Sequence, residues 1–113
     1  MFSILIPSYN NLSYLKLCIK SIINNSKFNH QIIVHVNEGT DGTLDYLKDS
    51  SIDFTFTNYN SGICEGINKA SKLAKYPYFL YAHDDFYFCP NWDEILHKEI
   101  NKIGHNNFYL SGT

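Results

Sequence analysis

The chain has 113 residues, of which 44% are hydrophobic and 16% aromatic, and its formal net charge is −2 with nine lysines and no arginine. Those figures suit a single domain over residues 1–113 with one core. They argue against a nucleic-acid binder, which needs a basic face, and no run of about 18 apolar residues exists to span a membrane. Met1-Phe2-Ser3 passes directly into a strand-like run without a charged leader or cleavage signal, which predicts a cytoplasmic protein. Cys18, Cys64 and Cys89 are odd in number and far apart. They form no zinc pair or disulfide framework, fit a reduced compartment, and each reads as a small buried hydrophobe.

Phe2–Ile6 is an apolar run closed by Pro7, and it predicts a first strand. Asn10 or Asn11 caps a helix whose apolar stripe is Leu12, Leu15, Ile19, Ile22 and Ile23, a helical spacing. Gln31–Val36 reads as a buried strand, and Asp41 as the cap of a short helix over Gly42–Lys48. Ile52–Thr57 mixes β-branched and aromatic residues and predicts a third strand. Gly62 opens a helix striped by Ile63, Ile67, Ala70 and Ala74, and Tyr76–Ala82 follows as a buried aromatic strand. Pro90 suits a first helical turn. Trp92, Ile95, Leu96, Ile100 and Ile103 line the inner face of the last helix, and Phe108–Leu110 reads as a fifth strand. Apolar strands alternating with amphipathic helices predict an α/β fold, a mainly parallel sheet covered on both faces.

An open parallel sheet binds ligands beyond the carboxyl ends of its strands, where the strand order reverses. The informative residues therefore follow each strand. They are Pro7-Ser8-Tyr9-Asn10, Asn37-Glu38-Gly39-Thr40-Asp41, Asn58-Tyr59-Asn60-Ser61-Gly62 and His83-Asp84-Asp85. In extended backbone His83 and Asp85 share a face and Asp84 takes the other. An imidazole and a carboxylate on one face can share a divalent cation: the carboxylate favours Mg²⁺ or Mn²⁺, the imidazole shifts the preference toward transition metals, and such a cation commonly bridges protein to a diphosphate. The alternative is a pair of solvated loop acids. Gly62 either offers helix N–H groups to a phosphate or simply makes a turn. Asn60 either meets a ligand or caps the helix, Asn68 either meets a ligand or lies on the surface, and Tyr9 either stacks on a base or packs at the sheet edge. Asp93 and Glu94 favour the helix dipole. His30, His35, His97 and His105 have no ligand spacing and read as structural or exposed.

Taken together, these runs resemble family 2 glycosyltransferases. Phe2–Asn10 is similar to that family's opening strand ending in Pro-(Ser/Thr)-Tyr-Asn. Asn37–Thr43 is similar to its Asp-Asp-Gly-Ser-Thr-Asp-Gly-Thr loop, and Asn60-x-Gly62 with Asn68 to its Asn-x-Gly…Asn pattern. His83-Asp84-Asp85 falls on its Asp-x-Asp metal motif, followed by Pro90 and Trp92. The resemblance implies a Rossmann-like GT-A three-layer sandwich, here truncated to the donor-binding half. It implies that Pro7, Ser8 and Tyr9 line the nucleoside pocket, and that Asn37 or Glu38 holds the place of the nucleoside-contacting acid. Asn60, Gly62, Asn68 and Asp84 join the nucleotide-sugar contacts, and Asp85 with His83 forms the metal site. Two departures are visible: the second loop is one residue short with Asn37 for Asp, and His83 replaces an acid.

The implied function is inverting transfer of a sugar from a UDP- or GDP-sugar with Mn²⁺ or Mg²⁺. The catalytic base is not recognisable in these residues. The rival reading is a non-catalytic nucleotide-sugar binding module. An uncovered edge of the truncated sheet makes a homodimer an expectation as well.

Overall fold

A computed structural model describes residues 1–104. The expected fifth strand at Phe108–Leu110, and His105, lie outside the described residues. The elements are β1 (Ser3–Tyr9), α1 (Leu12–Asn25), β2 (Gln31–Asn37), α2 (Thr43–Asp49), β3 (Asp53–Thr57), α3 (Gly62–Ser71), β4 (Phe79–Tyr81) and α4 (Trp92–Ile103). The four strands form one sheet in the order β3-β2-β1-β4, and every pairing is parallel. The α/β reading holds, as does the placing of helices on both faces. No helix among the described residues is long and apolar enough to cross a membrane.

The alternation of β1 sorts the core. Ile4 and Ile6 face one side, where they meet Leu15, Cys18, Ile19 and Ile22 of α1, Leu47 of α2 and Ile100 of α4. Leu5 faces the other side with Ile33, under Ala70 and Ile67 of α3. Three helices therefore cover one face and α3 alone covers the other. α3 packs on β1, β2 and β3. Beyond its reach Phe79 and Tyr81 of β4 stay 55% and 39% exposed, so β4 is shorter and less buried than its aromatic run predicts.

Pro7 was expected to close the first strand, yet β1 continues to Tyr9. The ladder explains this. Ser3 N–H donates to Tyr78 C=O and Leu5 C=O accepts from Ala82 N–H, so alternate residues of β1 turn their backbone polar groups toward β4. Pro7 is next in that series, and β4 has ended before reaching it. Its missing N–H is therefore not needed there, as proline in a strand requires. Past that point β1 stays paired to β2 while the chain after β4 departs, and a crevice opens between them.

Several helix details differ from expectation. Neither Asn10 nor Asn11 caps α1 with its side chain. Instead the Asp41 carboxylate accepts Leu12 N–H at 2.9 Å and Thr43 N–H at 3.3 Å, and so caps α1 as well as the turn into α2. α2 starts one residue later than expected, with Gly42 in the left-handed region (φ 93°) at its N-cap. Pro90 precedes α4 rather than opening it, because Asn91 is the N-cap. Ile23 and Ile95 sit on solvent faces, and in the first turn of α4 it is Asp93 that is buried.

Asp93 is more than a dipole acid. Its carboxylate accepts Lys27 N–H at 3.0 Å, Phe28 N–H at 2.8 Å and His30 Nε2–H at 2.9 Å. The Nδ1 of His30 accepts Phe2 N–H at 3.0 Å, which fixes the neutral tautomer. Burial lowers the His30 pKa, with the Asp93 carboxylate partly opposing. Burial alone would raise the Asp93 pKa; its backbone donors and His30 outweigh that, and the pKa is lowered. The pair ties the loop before β2 to the start of α4.

Candidate functional site

The order β3-β2-β1-β4 reverses between β1 and β4: the chain steps one way to β3, then returns to the far side of β1. That is the switch point where ligands bind in open α/β sheets. An open cleft of about 470 Å³ lies there. Pro7, Ser8 and Tyr9 line it from the end of β1, with Asn10 and Asn11 beyond them. Asn37 lines it from β2, Asn60, Gly62 and Ile63 from the start of α3, and His83 and Asp84 from the loop after β4. Eight of the eleven residues singled out from sequence thus share one hollow, while Glu38, Asn68 and Asp85 do not line it.

The expected disposition of His83, Asp84 and Asp85 assumed extended backbone. The strand ends at Tyr81, and Phe86 N–H donates to His83 C=O at 3.2 Å, closing a turn over residues 83–86. Strand alternation therefore does not apply there. Asp84 is half-buried in the cleft wall, and Asp85, next to it in the turn, is exposed. Ser8 Oγ donates to Asp84 Oδ2 at 2.9 Å, bridging β1 to that turn. The His83 ring is flanked by Tyr81 and Phe86, at 4.9 and 5.0 Å between ring centres.

Asn37 is buried and fully engaged. Its Oδ1 accepts Ser61 N–H at 2.9 Å and Ser61 Oγ–H at 2.8 Å, while Nδ2 donates to Ser8 C=O at 3.4 Å. Asn37 thus ties β1, β2 and the entry to α3. Asn60 Oδ1 accepts Gly62 N–H at 3.2 Å, so it braces the turn into α3. Glu38 adopts φ 62° and turns to the Tyr9 phenol, whose pKa its hydrogen bond and charge raise. Asn68 is exposed along α3, outside the cleft.

A family model described as glycosyl transferase family 2 matches residues 3–112. The chain belongs to glycosyl transferase family 2. An uncharacterized glycosyltransferase of Rickettsia bellii is 32% identical over 99% of this chain and 17% of its own length. The Escherichia coli UDP-Glc:alpha-D-GlcNAc-diphosphoundecaprenol beta-1,3-glucosyltransferase WfaP is 28% identical over 97% of this chain and 47% of its own length. The chain thus spans less than half of either relative. In fold it is similar to S. aureus TarS 1-349 in complex with UDP, with TM-score 0.80 at 19% identity over 98% of this chain and 38% of that one.

Two features of this family 2 domain escaped the sequence reading. Only Cys18 is buried; Cys64 and Cys89 are exposed, since α3 turns Cys64 outward and Cys89 lies in the loop before α4. Burial, then the charges of Asp84 and Asp85, push the Cys18 thiol up to about 12, so it stays protonated, with Sγ 3.7 Å from His83 C=O. Asn11 and Ile63 also border the cleft. Asn11 directly follows the Pro-Ser-Tyr-Asn run, and that adjacency was a usable signal, whereas Ile63 read as part of a buried stripe.

Proposed function

We propose that this domain binds the nucleoside diphosphate of a nucleotide sugar, with a divalent cation, in the cleft beyond β1 and β4. It thereby supplies the donor side of glycosyl transfer. The observation that carries the reading is the Asp84 carboxylate, held by Ser8 at the point where the strand order reverses. UDP is the favoured nucleotide, because the similar fold of TarS is known with UDP.

The donor set fits a cation of the Mg²⁺ or Mn²⁺ kind. Among the described residues no cluster of three acidic, histidine or cysteine side chains forms a self-sufficient metal site. No lysine lines the cleft. The turn carries Asp84 and His83 in the cleft lining, with the exposed Asp85 carboxylate adjacent to them in the chain. Few protein ligands suit a hard cation that keeps waters and completes its shell with phosphate oxygens. When bound, such an ion neutralises charge gathering on the departing diphosphate. The residues of the chain do the rest. Tyr9, half exposed at the rim, offers a ring face to the base. Asn37 and Asn60 hold the loops that border the nucleotide. Gly62 leaves the entry to α3 open, since nothing lies within 4 Å of where a Cβ would stand.

A second reading, binding without transfer by this chain alone, is favoured by one observation. Apart from His83 and Asp84, no carboxylate or imidazole among the described residues lines the cleft to activate an acceptor. Titration calorimetry with UDP, with and without Mn²⁺, followed by a sugar-release assay, tests both. Mn²⁺-enhanced UDP binding that disappears in Asp84→Ala and Asp85→Ala supports the site. Unchanged Mn²⁺ dependence in both variants refutes it. Binding without sugar release selects the second reading.

A further inference from the structure

We infer that Ser8 is a positioning residue for the Asp84 carboxylate and not a contact for the nucleoside, an inference that rests on the donor-binding reading above. Ser8 is only 3% exposed and shares the inward face of β1 with Ile4 and Ile6. Its hydroxyl has one proton, and that proton is engaged by Asp84 Oδ2 at 2.9 Å. The partner lies 76 residues away in sequence.

The bond sits where the ladder stops. Strand pairing between β1 and β4 covers Ser3 to Leu5, and Ala82 N–H to Leu5 C=O is its last rung. Pro7 cannot donate a further one. Ser8 reaches across the opening and fixes the turn that carries Asp84. Its own main chain is anchored in turn: Asn37 Nδ2 donates to Ser8 C=O, and Asn37 Oδ1 accepts from Ser61 at the entry to α3. Asp84, Ser8, Asn37 and Ser61 are thus linked in series across the cleft floor. A hydrogen bond to an ionised acceptor is among the stronger kinds. A carboxylate held by it keeps one orientation toward a cation, where small misplacements are costly.

Two arms test the role. In the first, thermal unfolding is measured for Ser8→Ala, Asp84→Ala and the double variant, with no ligand present. The expected result is strong non-additivity, the double variant unfolding close to the lower single one. Additive shifts in Tm would overturn the coupling. In the second, UDP binding is titrated with and without Mn²⁺. Ser8→Ala should weaken the Mn²⁺-dependent binding about tenfold, the order of one charge-assisted hydrogen bond, and leave Mn²⁺-free binding within about twofold. Ser8→Thr, which keeps the hydroxyl, should recover most of the loss. Equal weakening with and without Mn²⁺ would overturn the inference by making Ser8 a nucleoside contact. Failure of the unaltered chain to bind UDP, alongside a non-additive cycle, would refute the donor-binding reading and leave the Ser8–Asp84 coupling standing.

Discussion

Gly66→Ala pits two effects of known sign against each other. In the middle of α3, alanine gains about 1 kcal/mol of helix propensity over glycine. The structure opposes that gain. A Cβ at Gly66 would stand 2.9 Å from Cδ2 and 3.3 Å from Cγ of the His35 ring. His35 is fully buried and cannot swing aside. Its Nδ1 is 2.7 Å from Thr55 Oγ1, and its Nε2 is 3.2 Å from both Thr57 Oγ1 and Ser61 Oγ. α3 must then lift off the sheet by several tenths of an ångström, or the ring must give up its partners. Overpacking of this kind costs about 1–3 kcal/mol, so the net effect is a loss of about 1 kcal/mol. For a domain of this size that lowers Tm by about 4–8 °C. Differential scanning calorimetry of the two proteins measures it. A Tm raised by the propensity gain would show that α3 does not press on His35, and the packing of that face would need revision.

Two further predictions concern stability. The folded pKa values of His30 and Asp93 are both lowered, so the unfolded chain binds protons first. Stability should be full above about pH 6.5, the ordinary histidine value. It should fall as pH drops below that through His30, and fall again below the usual carboxylate range through Asp93. Burial lowers the pKa of His35 as well, so it adds to the same upper phase. Urea midpoints measured from about pH 7.5 to about pH 2.5 check this, and His30→Phe should diminish the upper phase without abolishing it; a flat profile over pH 7 to 5 in the unaltered protein refutes it. Asp41→Ala removes the acceptor shared by Leu12 and Thr43 and should cost about 1–2 kcal/mol, the range for a lost helix cap. Asp41→Asn should recover most of that, and an Asn variant as unstable as Ala would disprove the capping role.

What could be read from sequence was whatever depends on local pattern. The alternation of apolar runs with amphipathic stripes placed all eight described elements, and the residues following strands converged on one cleft because parallel strands bring their carboxyl ends to one edge. What could not be read depended on partners distant in the chain. Asp93 looks like any first-turn acid until Lys27, Phe28 and His30 are brought to it. Asp41 looks like a cap for its own helix and also caps α1. Pro7 looks like a strand terminator because its need for a partner depends on where β4 ends. The turn at residues 83–86 was mistaken for extended chain, because the strand conformation was carried past its expected end at Ala82 and nothing local to His83-Asp84-Asp85 marks a turn.

The charge of the cleft follows from the same geometry. Among the described residues its titratable lining is the Asp84 carboxylate, the His83 imidazole and the Tyr9 phenol, and the lysines of the chain are elsewhere. A diphosphate entering such a hollow meets like charge at Asp84, and that repulsion is strongest where the wall is least hydrated. Anchoring Asp84 through Ser8 changes this little for a bare anion, because the charge stays in the wall whether or not it is held. The same anchoring improves matters for an anion arriving with a divalent cation, since a fixed oxygen needs no reordering to coordinate it. Under the proposed function, the arrangement would discriminate between free and metal-paired diphosphate by opposite signs of one interaction. It follows that removing the Asp84 charge should weaken binding with Mn²⁺ and strengthen it without, a crossing that a merely structural carboxylate would not produce.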